Sequence, residues 1–153
     1  SRPLCDEALV LVVSSEHAYA ELPEVTLEQV AQLPLVLFPP KFYVRQLLDT
    51  ACADQGIEIR PVMELSTMES QVQMVIHHVG GTVLPGSYAR TLTSTNRRGG
   101  ITVVPLAQPV PHKNVGLVYR RSTFMDPTLQ AFIDHLTEDH EGAVQGSILA
   151  PKR

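Results

Sequence analysis

The stretch Ala8-Leu-Val-Leu-Val-Val13 is a continuous apolar, β-branched run bounded by Ser14-Ser15, and it reads as a strand buried on both faces. Such a strand needs helices covering it on either side. After a loop from Glu16 to Glu24, Thr26 stands three residues before Gln29 and Val25 is placed to staple against Val30, so a short helix starts there and Pro34 ends it. Leu35-Val-Leu-Phe38 is a second buried strand, closed by Pro39-Pro40, whose fixed φ and missing amides cannot continue a ladder. From about Phe42 the residues Val44, Leu47, Leu48 and Ala51 fall at helical spacing. Gly56 supplies a left-handed stop, and Ile57 to Leu65 reads as strand after Pro61.

Ser66-Thr-Met-Glu69 has the form of a capping box, with Met68, Val72, Val75, Ile76 and Val79 as one apolar stripe behind it, which predicts a helix from Ser66 to the Gly80-Gly81 pair. Thr82-Val-Leu84 is a short strand, and Pro85-Gly86-Ser87 leads into a brief helix through about Leu92. Beyond a polar loop from Thr93 to Gly100, Ile101 to Val104 and Val115 to Tyr119 are two more strands across a Pro-rich connection. Asp126 caps a final helix with Pro127 in its first turn and Leu129, Phe132, Ile133 and Leu136 as its buried face. Periodicity fades from Glu141, so residues 141–153 are expected to form a loosely ordered tail. Strands alternating with helices at short spacing imply an α/β layer structure around a mainly parallel sheet.

Composition limits what such a domain does. The 153 residues are 44% hydrophobic and 18% charged, with 12 Pro and 9 Gly scattered as punctuation, which fits one or two small globular domains and excludes a disordered or collagen-like chain. No apolar run approaches the roughly 18–20 residues that span a bilayer, so no membrane partner is expected. Net charge is −4, and the basic pairs Arg97-Arg98 and Arg120-Arg121 are isolated, so nucleic acid has no electrostatic footprint to meet. Cys5 and Cys52 form neither a CxxC pair nor a disulfide framework, which points to reduced structural thiols in the cytoplasm.

The order of these signals is more specific than any one of them. A strand running into a loop with His17 and Ala20, a Thr/Leu/Glu helix, a Pro-Leu-Val-Leu strand, and a helix ending at Asp54-Gln55-Gly56-Ile57-Glu58 resemble the LysR-type transcriptional regulators. Glu64 before a helix, Val75 ten residues before Pro85, and Val115-Gly-Leu-Val-Tyr-Arg-Arg121 before Phe132-Ile133 extend the resemblance over residues 1–140. The family pattern has Gly where this chain has His78 and an aliphatic residue where it has Gly81, and His17-Ala-Tyr-Ala20 replaces the usual His-Pro-Leu-Ala.

The resemblance implies an effector-binding domain of two Rossmann-like α/β subdomains, similar to type 2 periplasmic binding proteins. Residues 1–7 would be the end of the first subdomain and the hinge, 8–111 the second subdomain, and 112–140 a return strand and helix of the first. On that reading the chain is mainly the second subdomain, truncated at its N-terminal side. DNA would be bound only through a domain it lacks. The implied partners are a small-molecule effector, anionic or polar, bridging the two subdomains, and further copies of the chain, as a dimer or, in the intact protein, a tetramer. The competing class is a fragment of a periplasmic-type solute-binding protein, since fold alone does not fix function.

Ligands of open α/β sheets gather at the carboxyl ends of strands, where helix N-termini favour anions. Two such ends stand out: Phe38-Pro39-Pro40-Lys41-Phe42-Tyr43, and Ser66-Thr67-Met68. Read from the residues alone, the first is a Pro-stiffened turn with an aromatic plug and Ser66 is a helix cap. The resemblance places effector contacts at both. No catalytic residue is expected, because GxSxG, GxxxxGK[ST] and HExxH are all missing. No metal or cofactor is expected either: His77 and His78 would point ~100° apart on a helix, and His135 and His140 lack the spacing that puts two ligands on one face.

Overall fold

A computed structural model describes residues 2–95, 99–118, 120 and 124–148. The chain divides into two compact units, one of residues 8–112 and one of residues 1–7 with 113–153. The larger unit is built on the run that opens the sequence. Strand β1 spans Arg2–Ser14, and its residues Leu9, Leu11, Val12 and Val13 are wholly buried. Because side chains alternate along a strand, Leu9, Leu11 and Val13 enter one core with Leu35, Leu37 and Leu48. Val12 enters a second core with Leu84, Val72 and Val75. Helices α1 (Leu27–Ala31) and α2 (Tyr43–Asp54) contribute to the first core, while α3 (Met68–Ile76) and α4 (Gly86–Thr95) contribute to the second. The sheet is therefore sandwiched between helical layers.

Strand order follows from the pairings. β2 (Val36–Leu37) pairs in parallel with β3 (Met63–Glu64), and a parallel bridge from Leu35 to Gly81 ties it to β4 (Thr82–Pro85). β1 then runs antiparallel to β4 on one side and to β5 (Ile101–Pro105) on the other. The order is β3-β2-β4-β1-β5, with β1 alone reversed. The expected mainly parallel sheet thus holds for β3, β2 and β4 and fails at β1, because burial on both faces sets composition and not direction.

The local signals locate most elements, with informative slips. Thr26 and Gln29 form the reciprocal cap of α1, at 3.1 and 2.9 Å. Gly56 ends α2 with φ of 69°. A 3₁₀ turn, Ala18–Glu21, occupies part of the expected loop, with His17 Nδ1 accepting the Tyr19 amide at 3.0 Å. The strand expected from Ile57 shrinks to two residues, since Pro61 has no amide to offer and pairing resumes only at Val62, whose N–H meets Leu35 O at 2.9 Å. Helix α4 runs on to Thr95, three residues past the expected end.

In the smaller unit β6 (His112–Leu117) pairs with β1, starting and ending earlier than expected, and Tyr119 lies outside the described residues. Lys113 Nζ meets Glu7 there at 3.3 Å. Helix α5 runs from Pro127 to Ile148, with Asp126 Oδ1 accepting the Leu129 amide at 2.8 Å. It continues eight residues beyond the expected end, since an established helix adds one hydrogen bond for each residue it fixes, and 149–153 lie outside the described residues. Ile133 is buried but Phe132 is 57% exposed, so the stripe follows Leu129, Ile133 and Leu136 and leaves Phe132 on its flank. Arg97, Arg98 and the side chain of His140 also fall outside what is described.

Candidate functional site

The two loops singled out from the sequence lie at the carboxyl ends of adjacent parallel strands, and the Leu65 amide donates to Leu37 O at 2.9 Å just where they begin. In the first loop Phe38 is buried and its ring stacks on Phe42 at 5.0 Å. Lys41 is exposed, with Nζ 5.7 Å from the Phe42 centroid. Pro39 and Pro40 force the turn, closed by Phe42 N donating to Pro39 O at 3.1 Å. Tyr43 is 59% exposed and lines a different feature, a trough of about 480 Å³ along α2 with Gln46, Leu47, Thr50 and Pro111.

In the second loop Ser66 and Thr67 are exposed, and half-buried Met68 packs with Phe42 against the core that holds Phe38. The cap is one residue later than the sequence reading placed it. Thr67 Oγ1 accepts the Ser70 amide at 3.2 Å, and the two hydroxyls share a hydrogen bond of 2.7 Å. Ser66 therefore does not cap α3. Ser-x-x-Glu and Thr-x-x-Ser overlap here, and the Ser70 hydroxyl, which also donates to Thr67 O at 2.9 Å, favours the second frame.

What fixes these loops went unread in the sequence. Arg45 is 93% buried; its Nη1 donates to Phe38 O at 2.8 Å, its Nε meets both carboxylate oxygens of Asp49 at 2.9 and 3.0 Å, and Glu64 Oε1 stands 3.7 Å away. One guanidinium so ties the start of the first loop to α2 and to the end of β3. Gln71 plays the matching part beneath the second loop, its Nε2 donating to Leu65 O at 2.9 Å while its Oε1 accepts Thr82 Oγ1 at 2.8 Å. The available signal was a polar residue on a buried helical stripe: Arg45 with Leu48 and Cys52, Gln71 with Val72 and Val75.

The amides opening a helix have no intrahelical acceptor. At α3 the Thr67 side chain takes one of them, but Phe42, the residue before α2, offers no side-chain acceptor. The first turn of α2 therefore keeps its capacity for an external anion, next to Lys41. Arg45 directs Nε to Asp49 and Nη1 to Phe38 O with Glu64 beside it, so its charge is already faced by two carboxylates.

A second cavity lies at the opposite ends of the strands, about 300 Å³ and lined by Val13, Ser14, Glu16, His17, Leu33 and Pro34 together with Val75, His78, Val79, Gly80 and Gly81. It takes in none of the predicted site residues. His78 is the correction here: α3 ends at Ile76, and His78, not a glycine, adopts the left-handed conformation, with φ of 60°. Val79 N donates to Met74 O at 2.9 Å and His78 N to Val75 O at 3.0 Å, the paired bonds of a Schellman closure. Gly80 serves close approach instead, for a Cβ there would lie 2.2 Å from Pro34 O.

Cys52 is buried and its thiol is pushed up to about 11, first by burial and then by the Asp49 carboxylate. Cys5 belongs to the smaller unit. Among the described residues, no three His, Cys, Asp or Glu side chains are grouped to hold a metal ion, and no helix is long and apolar enough to cross a membrane.

Known proteins are similar to this chain along most of its length. The HTH-type transcriptional regulator IlvR of Caulobacter vibrioides is 34% identical over 142 residues, covering 90% of this chain and 44% of that protein. The dual regulator OxyR of Escherichia coli K12 is 26% identical over 118 residues, 77% of this chain and 38% of that protein. The chain thus spans less than half the length of these curated relatives. Among solved structures, the CcmR regulatory domain of Synechocystis PCC6803 in complex with 2-PG aligns with a TM-score of 0.75 at 18% identity, over 92% of this chain and 66% of that one. The effector binding domain of QuiR in complex with shikimate aligns at 0.70 and 20% identity, over 92% and 65%. These likenesses carry the fold, the type 2 periplasmic-binding-protein-like architecture that the resemblance implied. The family model for the LysR substrate binding domain matches residues 1–141, and the chain belongs to that family.

Proposed function

We propose that this chain is the ligand-sensing part of a cytoplasmic LysR-type transcriptional regulator and that it holds a small anionic or polar effector at Phe38–Tyr43 and Ser66–Met68. The observation that carries the reading is the first turn of α2, which has no side-chain cap, beside Lys41 and on a loop anchored by buried Arg45. Such a turn presents amides to an anion without reorganisation, while the stacked Phe38 and Phe42 rings keep the backbone from collapsing onto them. The family match over residues 1–141 favours a regulator over a solute-capture protein, and CcmR and QuiR, which share the fold, are known in complexes with 2-PG and shikimate. The effector acts by binding one arrangement of the protein more tightly than another, which alters DNA binding by the intact, self-associating regulator.

Several relatives are named as hydrogen peroxide-inducible genes activators. Peroxide is reduced by attack of a thiolate on its O–O bond, and a buried Cys52 with its thiol near 11 is poorly placed to supply one. Cys52 is therefore not the group to carry a peroxide response.

Amide NMR of the chain, titrated with citrate, benzoate and inorganic phosphate, tests the site. Saturable shifts centred on 42–45 and 67–69 are expected from at least one anion, and they should weaken in Lys41→Gln. Shifts confined to other parts of the chain would remove the site. An effector that binds the intact regulator and leaves its DNA affinity unchanged would remove the function.

A further inference from the structure

The cavity at the opposite ends of the strands has features of a second ligand site. β1 is antiparallel to β4, and β4 is parallel to β2, so β1 ends where β2 and β4 begin. The cavity sits at that end, between Val13-Ser14, Leu33-Pro34 and Gly80-Gly81, whereas the proposed effector loops leave the other ends of β2 and β3. Its volume of about 300 Å³ falls at the low end of the range that small-molecule pockets occupy. The floor is apolar, made by Val13, Leu33, Pro34, Val75 and Val79.

The polar groups at the mouth select one kind of head group. Glu16 brings a carboxylate, and neither lysine nor arginine lines the cavity. His17 Nδ1 accepts the Tyr19 amide, so that nitrogen is engaged by the backbone. His78 Nε2 lies 3.8 Å from Glu16 Oε2 with both side chains largely exposed, so that contact yields readily to a competitor. Val79 and His78 close the carboxyl end of α3, whose dipole also favours positive charge. His78 adopts a conformation that costs a non-glycine residue energy, and it does so where its ring reaches Glu16 at the cavity mouth.

We infer that this cavity binds small amphipathic amines, with the apolar body on Val13, Leu33 and Val79 and the ammonium group on Glu16. This site shares no residue with the loops assigned to the effector, and it stands whether or not those loops bind one.

Benzylamine, benzyl alcohol and benzoate, titrated separately into the whole chain and followed by amide NMR, test it. Benzylamine should give saturable shifts at Val79, Gly80 and Gly81 with a Kd on the order of millimolar. Benzyl alcohol should bind roughly threefold more weakly and benzoate more weakly still. Glu16→Gln, at an exposed position, should make benzylamine and benzyl alcohol equivalent, and Val79→Phe should fill the cavity and abolish both. The inference is overturned if benzylamine gives no saturable shift at 79–81, if it binds no better than benzoate, or if Glu16→Gln leaves the preference for amine intact. Benzylamine shifts centred on 42–45 or 67–69 would overturn it too, by moving the site to the effector loops.

Discussion

Replacing His78 by glycine should stabilise the protein, against the usual direction of surface substitutions. His78 sits at φ of 60°, where a side chain crowds the following carbonyl, at a cost of roughly 1–2 kcal/mol for an L-residue. Glycine escapes that cost but gives up more backbone freedom on folding, worth about 0.5–1 kcal/mol. The exchange also removes the contact of His78 with Glu16, but at 3.8 Å, between side chains 60% and 85% exposed, that contact contributes close to nothing. The balance is a gain of about 0.5–1 kcal/mol, or a rise of roughly 1–4 °C in Tm for a chain of this size. His78→Ala keeps the Cβ and should gain none of it. Urea unfolding of the three proteins side by side measures this, with unchanged m-values needed for the comparison. If His78→Gly is no more stable than His78→Ala, the left-handed closure of α3 is not what the geometry indicates.

Other perturbations act on the loops and on the buried thiol. Arg45→Met keeps the aliphatic stem but strands the buried Phe38 carbonyl, so it should cost about 2–3 kcal/mol in urea unfolding and weaken ligand binding at the 38–43 loop; a loss under 1 kcal/mol would deny it the anchoring role. Thr67→Ala should cost ~1 kcal/mol and Ser66→Ala less than about 0.5, and the reverse order would restore the Ser66 cap. A folded-state thiol raised to about 11 means that the native protein holds its Cys52 proton where the unfolded chain, titrating near 9.0, has lost it. The contribution of Cys52 to stability is therefore full below pH 9 and disappears as pH rises through 11. Cys52→Ala should flatten that part of the stability profile, and native Cys52 should resist iodoacetamide at pH 8 until the chain unfolds; rapid native alkylation at Cys52 would refute its burial.

How much of this the sequence discloses depends on whether the signal is local. The apolar run at 8–13, the Thr26 cap and the Gly56 stop are each decided within a few residues; the cap and the stop stand where the sequence puts them, while the run lies inside a strand that starts at Arg2, six residues before the expected one, and leaves Ala8 exposed. The direction of β1 is decided by which strands meet it from residues 82–85 and 101–105, and no pattern inside residues 8–13 records that. The end of α3 shows a subtler failure. Gly80-Gly81 looks like a helix stop because glycine tolerates the left-handed region, yet the closing bonds fall two residues earlier, on a histidine. Gly80 is needed for a close approach to Pro34, 46 residues away, which a local reading mistakes for a turn.

The same distinction separates the loops from what holds them. Pro39-Pro40 and Ser66-Thr67 announce themselves through turn and cap chemistry, and parallel pairing brings the two loops side by side. Arg45 and Gln71 sit inside helices otherwise read by their apolar stripes, and a reading that counts only hydrophobic positions passes over them. Yet a guanidinium left on a buried stripe needs an acceptor, and Phe38 O and Asp49 supply it; a buried amide needs two partners, and Leu65 O and Thr82 supply them. Both sets of partners include a carbonyl at the base of one of the loops. The polar exceptions on the stripes of α2 and α3 thus mark the ends of β2 and β3 as fixed in position, which the proposed effector site requires and an ordinary surface turn does not.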